Sequence, residues 1–155
     1  MLTIYTDLLR ALEAHLEAAY PNEGAGLLLG VVGDGGKRVS AILTLENRWD
    51  GAEQYHRFLL TPQDMLRGEQ EAARRGLDVI GIFHSHPDHP AEPSGFDREW
   101  ALPWYSYLIT TVAQGRATRS RSWLLKDDRS GYDEEAVQIT EQRPPSTDHA
   151  PLEKA

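Results

Sequence analysis

Leu77-Asp78-Val79-Ile80-Gly81-Ile82-Phe83-His84-Ser85-His86 is an apolar run that ends in two histidines at alternate positions. It suits a strand, and in a strand residues two apart share a face, roughly 6.6 Å from one another. Both imidazoles can then converge on one ion. A loop with three prolines follows (Pro87, Pro90, Pro93), and beyond it Ser94 and Asp97 stand three apart. If Ser94 opens a helix, that spacing puts both side chains on one helix face. Two histidines and a carboxylate form the three-ligand set of a catalytic zinc, with one position left for water. Plainer readings stand beside this one. A histidine pair at a strand end can simply be exposed or hydrogen-bonded, and Ser94-x-x-Asp97 is also the pattern of a capping box. Asp88, His89 and Glu92 are competing ligands within the loop.

Upstream, Thr6 to Tyr20 carries Leu8, Leu9, Leu12, Leu16 and Ala19 at helical spacing, with Thr6 or Asp7 as the cap and Pro21-Asn22 as the stop. His15 falls on the polar side, where exposure is expected. Ala25 to Val32 is a continuous apolar run suited to a strand buried on both faces. Gly33-Asp34-Gly35-Gly36 turns the chain, and Arg38 to Leu45 returns as the second arm of a hairpin. That glycine-rich turn has no Lys-Ser/Thr and no helix pattern after it, which sets aside a phosphate-binding loop. Asn47 to Glu53 reads as loop, Tyr55 to Leu60 as a short strand, and Pro62 to Arg75 as a second helix closed by Gly76. Trp104 to Val112, Arg119 to Lys126 and Tyr132 to Thr140 read as further strands. Trp100, Trp104, Tyr105 and Tyr107 serve either packing or a partner surface. About six strands and three helices, with the strands clustered, predict an α+β fold, a mixed α/β sandwich. The prolines after Gln142 suggest a single domain over 1–142 and a disordered tail over 143–155, with His149 idle in it.

The chain has 155 residues, enough for one ordinary domain. Sixteen basic against 24 acidic residues give a formal charge of −8. Phosphate backbones and anionic lipid surfaces demand clustered Lys and Arg, so neither nucleic acid nor membrane is expected as a partner. The absence of cysteine removes a thiol nucleophile, a thiolate metal site and any disulfide. Met1 to Asp7 lacks the basic and apolar regions of a signal peptide, and no apolar run approaches the ~20 residues that span a bilayer. A cytoplasmic location is expected.

His84-Ser-His86, seven residues that begin with Pro87 and end with Pro93, then Ser94-x-x-Asp97 resembles the JAMM motif of the MPN (Mov34/PAD-1) metalloproteases. Pro21-Asn22-Glu23-Gly24-Ala25-Gly26-Leu27-Leu28-Leu29-Gly30 is similar to that family's first motif, a glutamate before a small residue, a glycine and an apolar strand. The resemblance spans roughly residues 5 to 140. It departs at Ala25, where the family often has cysteine, and in a short segment after Asp97, unlike members whose long insertions grip ubiquitin. It implies a central curved, mostly antiparallel sheet, Zn²⁺ held by His84, His86 and Asp97, and Glu23 moving the proton from water to the leaving amine. Spacing alone does not select Glu23 over Glu46, Glu53 or Glu92. Ser94 would donate to the oxyanion, in competition with its use as a helix cap. The implied activity is peptide or isopeptide hydrolysis after the C-terminal Gly-Gly of a small ubiquitin-like or sulfur-carrier protein, bound as an added strand along the groove. A non-catalytic MPN scaffold and a metal-dependent hydrolase of small amides are the alternatives.

Overall fold

In the computed structural model, which describes residues 1–141, the elements run β1 (Leu2–Tyr5), α1 (Thr6–Ala19), β2 (Ala25–Gly33), β3 (Gly36–Leu45), α2 (Pro62–Arg74), β4 (Asp78–Pro87), α3 (Gly95–Trp100), β5 (Ser106–Ala113), β6 (Arg116–Leu125), β7 (Tyr132–Glu135) and β8 (Val137–Thr140). A single 3-10 turn covers Ala52–Tyr55. The tail expected over 143–155 lies outside the described residues. One sheet holds all eight strands in the order β7-β6-β5-β4-β2-β3-β1-β8. The β4–β5, β1–β3 and β1–β8 pairs are parallel and the other four antiparallel. The fold is the expected α+β sandwich with three α-helices, but with eight strands where about six were expected.

Three local readings change. Leu2–Tyr5 is a strand threaded between β3 and β8, too short to announce itself by periodicity. Tyr132 to Thr140 is two strands divided at Ala136. Tyr55 to Leu60 is not a strand, because the main chain of Leu59 bonds to Asn47 and Arg48 instead of to a ladder.

The helices start where elementary capping places them, with one exception. Thr61 and Asp64 form a capping box with Pro62 at the first position of α2, and Gly76, at φ +68, closes that helix. The cap of α1 is Tyr5, whose side chain makes no capping bond to the helix, while the expected Thr6 instead donates to the Thr140 carbonyl (3.4 Å).

The sheet is buried on both faces. Leu8, Leu12 and Leu16 of α1 cover Leu28, Ile80, Phe83 and Leu108 on one side. On the other, Ala72 of α2 packs with Leu27, Leu29 and Val79. Strand β4 changes phase between these faces. Leu28 pairs with Gly81 and Leu29 with Val79, so Ile80 is an extra residue, a β-bulge. Val79 and Ile82 consequently share the α2 side while Ile80 and Phe83 share the α1 side. The two histidines follow Ile82 at period two.

The outermost strands β7 and β8 are separated by Ala136 alone, and the Leu2 N–H donates to the Ala136 carbonyl (2.8 Å). One residue spans only about 3.8 Å, so the sheet must curl until its two margins meet. A buried polar plug lies near that seam. Glu135 accepts from the Ser106 and Ser122 hydroxyls (2.8 Å each), and Lys37 Nζ donates to Ser106 Oγ and the Trp104 carbonyl (2.9 Å each).

Candidate metal centre

Strand β4 carries His84 and His86 opposite Ile109 and Thr111 of β5, and Ala25 of β2 lies directly across from His84. Gly26, next to Ala25, is fixed as glycine by a close approach, since a Cβ there would stand 2.2 Å from the Phe83 ring and 2.5 Å from the Leu43 carbonyl oxygen.

Asp97 arrives from α3, whose capping box both positions the helix and aims the carboxylate. The Asp97 N–H donates to Ser94 Oγ (3.0 Å) and the Ser94 N–H donates to Asp97 Oδ2 (2.9 Å). Arg129 donates to the carbonyls of Arg98, Glu99 and Ala101, holding the far end of this six-residue helix. Asp97 Oδ2 lies 3.1 Å from His86 Nε2 and Oδ1 lies 3.3 Å from His84 Nε2. Capping box and site residue are therefore not alternatives, because two carboxylate oxygens have lone pairs for both. Nor does Ser94 face a conflict. Capping uses a lone pair of its oxygen, and the O–H proton makes no bond among the described residues, so it remains available to donate.

Glu23 reaches the same place from the turn before β2. Its Oε1 stands 3.8 Å from His86 Nε2, and Oε2, buried, has no hydrogen-bond partner. Glu23, His84 and His86 each have a ligand-capable atom within 4.8 Å of the others. The main chain there is tightly tied. The Glu23 N–H donates to the Gln54 carbonyl (2.7 Å), the Gly24 N–H to Ser85 Oγ (2.8 Å), and the Ser85 N–H to the Gly24 carbonyl (3.0 Å).

Burial pushes the Glu23 carboxyl up to about 8; Asp97 adds to the rise, while His86 and Arg57 oppose it. Burial also acts to raise Asp97, but the His84 and His86 imidazoles overcome it and hold that carboxyl far below the usual range. For His86, burial acts to lower the value, and the bond and charge of Asp97 reverse it, so the imidazole rises.

The residues fit a cation. Both ring nitrogens of His84 are buried without a hydrogen-bond partner, an arrangement that costs roughly 1–3 kcal/mol per group unless something else satisfies them. The Nδ1–H of His86 donates to the Pro90 carbonyl (2.8 Å), which fixes the ring and turns Nε2 toward Asp97 (3.1 Å); a metal there would take the Nε2 lone pair in place of the proton shared with Asp97. Asp97 sets one carboxylate oxygen against each imidazole, Oδ1 3.3 Å from His84 Nε2 and Oδ2 3.1 Å from His86 Nε2, so three side chains of the kind that bind zinc turn their donor atoms to one place.

The competing residues do not join the cluster, although His89 and Glu92 line the groove beside Glu23 and His86. Asp88 accepts from the Tyr20 hydroxyl (2.6 Å) and the Gln114 N–H (2.7 Å), Glu92 pairs with Arg121 (3.0 Å), and His89 is exposed. Glu46 and Glu53 pair with Arg48 and Arg57 at the surface. His15 is half-buried, not exposed, and its Nε2–H donates to the carbonyls of Ala25 and Leu45 (3.0 and 3.1 Å).

Two grooves flank the four side chains. One, of about 190 Å³, is apolar, with Phe58, Leu60, Ile82, Phe96 and Trp100 leading to His84 and Asp97. The other, about 300 Å³, is polar and holds Glu23, His56, His86 and Ser94. Tyr105 and Tyr107 are packing residues, whereas Trp100 and Trp104 are 66% and 59% exposed. The part played by Phe58, stacked 4.6 Å from the His84 ring, and by Asn47 carried no signal in the sequence.

A curled sheet that brings two imidazoles and two carboxylates into one buried cluster beside an open groove defines a JAMM/MPN-type metal-site domain. The family of prokaryotic homologs of the JAB domain (Prok-JAB) matches residues 6–126, and the chain belongs to it. It is similar to a desampylase of Pyrococcus furiosus, 31% identical over 90 residues that cover 58% of this chain and 60% of that protein. A probable TtuB-protein conjugate cleaving protease of Thermus thermophilus is 31% identical over 107 residues, 67% of this chain and 68% of that one. The solution structure of protein DSY2949 from Desulfitobacterium hafniense superposes with a TM-score of 0.80 at 31% identity, covering 92% of this chain and 94% of the other.

Proposed function

We propose that residues 1–142 form a zinc-dependent isopeptidase domain that hydrolyses peptide or isopeptide bonds after the C-terminal Gly-Gly of small ubiquitin-like, sulfur-carrier-type proteins. The observation that carries this reading is the convergence of His84, His86 and Asp97 at 3.1–3.3 Å with Glu23 standing off at 3.8 Å. Similarity to a desampylase and to a TtuB-conjugate protease supports the substrate class.

His84 Nε2, His86 Nε2 and the Asp97 carboxylate would hold the metal. Zinc in that position supplies a Lewis acid and lowers the pKa of a water to about 7. Glu23, whose Oε1 stands 3.8 Å from His86 Nε2, takes the proton of the attacking water and delivers it to the leaving amine. Ser94, through its unused O–H, donates to the oxyanion as the carbonyl becomes tetrahedral.

The apolar groove takes the extended tail. Leu59 turns both main-chain groups to one side, its N–H to Asn47 Oδ1 and its carbonyl to the Arg48 N–H (3.0 Å). In an extended chain Phe58 and Leu60 then face the opposite way. Their main-chain groups make no hydrogen bond among the described residues, which leaves an edge for an added strand. No helix among the described residues is long and apolar enough to cross a membrane, and a cytoplasmic location goes with this reading.

The test is incubation with Gly-Gly-tailed ubiquitin-like proteins of the same genome, and with a panel of small amides, with and without chelator, read by mass spectrometry. Chelator-sensitive loss of the group after Gly-Gly is expected. Cleavage of the small amides alone, or turnover indifferent to chelation, refutes it.

A further inference from the structure

Asn47, in the loop between β3 and α2, spends every hydrogen-bonding group of its side-chain amide. Nδ2 donates to the main-chain carbonyls of Glu23 (2.9 Å) and Arg57 (2.8 Å), and Oδ1 accepts the N–H groups of Trp49 (3.0 Å) and Leu59 (3.2 Å). Two protons and two lone pairs are all that an amide has. Carbonyls on one side and N–H groups on the other also fix which atom is the nitrogen. One side chain thus ties the Glu23 turn to the segment whose open edge faces the apolar groove.

The Glu23 carboxylate has little of its own to hold it. Oε2 is without a hydrogen bond, and Oε1 comes no nearer to His86 Nε2 than 3.8 Å. Its place is therefore set through the main chain, by the Gln54 carbonyl on its N–H, by Ser85 on the next N–H and by Asn47 on its carbonyl. Of these three, only Asn47 also bonds to residues 57 and 59.

We propose that Asn47 is a positioning residue that couples a chain bound along Phe58 and Leu60 to the placement of the Glu23 carboxylate, so that filling the groove steadies the base. This rests on the reading of Glu23 given above. Asn47→Asp is the sharpest probe. It keeps both acceptor bonds and replaces the two donors by an anion facing two carbonyl oxygens.

On a Gly-Gly-tailed fusion, kcat of Asn47→Asp should fall about 10²-fold, the effect of displacing a reacting group by about 1 Å, with KM raised. Zinc content should be unchanged, because His84, His86 and Asp97 make no bond to Asn47. In a Glu23→Gln background the same substitution should lower kcat no further. Losses that multiply there, a single variant within twofold of the parent, or lost zinc would each overturn the proposal. An arm independent of turnover uses amide hydrogen exchange with a non-cleavable Gly-Gly-tailed peptide. In the parent, saturation should slow the Phe58, Leu60 and Glu23 amides together; in Asn47→Asp it should slow the first two only. A parent whose Glu23 amide ignores the peptide overturns the coupling. Should Asn47→Asp not fold, Leu59→Pro removes one donor to Oδ1 and is read in both arms by the same criteria. A parent that binds peptide and zinc without cleaving refutes the hydrolase reading, and exchange still decides the coupling.

Discussion

Replacing Glu23 by glutamine removes a carboxylate from a position where burial opposes its charge and leaves a neutral side chain of nearly the same shape. In the metal-free protein the folded value lies near 8, against an ordinary 4.5, so the folded state holds a proton that the unfolded chain has already released. The sign follows from that raised value. Relative to glutamine, wild-type stability is intact below about 4.5, declines as pH rises, and reaches its full deficit above about 8. A rise from 4.5 to about 8 at 1.36 kcal/mol per unit is about 5 kcal/mol. That is an upper limit, because Glu23 lines the wall of an open groove and not a sealed interior. Urea unfolding of both proteins with chelator at pH 5 and pH 8.5 measures it. Near-equality at pH 5 and a Glu23→Gln advantage of several kcal/mol at pH 8.5 are expected. The same variant should retain zinc yet lose activity by roughly 10²–10⁴-fold, the usual share of a general acid–base. An equal stability difference at both pH values, or normal turnover, would refute the placement of Glu23 as a buried base.

Three shorter predictions accompany it. His84→Ala and Asp97→Ala should each bind no stoichiometric zinc by elemental analysis, and full occupancy in both would move the ligands elsewhere. Ser94→Asp retains a capping oxygen but has no proton to give; it should melt close to wild type while kcat falls by roughly 10²–10³-fold, and normal turnover would confine Ser94 to the cap. Gly26→Ala forces a Cβ against the Phe83 ring and the Leu43 carbonyl and should lower stability by about 3 kcal/mol in urea, whereas an unchanged midpoint would contradict the packing described.

The convergence of His84, His86 and Asp97 was legible because strand geometry translates directly into side-chain direction: the two histidines needed only period two, and Asp97 only a helix start at Ser94. The sandwich was legible from Ala25 to Val32 and from the leucines of α1. What escaped depends on partners distant in sequence. Leu2–Tyr5 is a strand because Lys37, Arg38 and residues 137 to 140 lie beside it. Tyr55 to Leu60 has strand-like aromatics, yet Asn47 claims its hydrogen bonds. Ile80 gives no sign in the sequence of being a bulge. Glu23 was reachable only through family resemblance, since a glutamate before a glycine is ordinary and its burial arises from the 46–60 loop folding over it.

The seam at Ala136 bears on which foreign chains the molecule admits. A protein that took its client as an added strand, as proposed here, would run the hazard that other extended polypeptides, including unfolded copies of itself, add along any unpaired border. Here both borders of the sheet are strands of four residues that converge on one another, offering little length for adventitious pairing. The edge proposed for the substrate, beside Phe58 and Leu60, lines the same groove as His84 and Asp97, so a guest strand docked there would lie beside the proposed reactive centre.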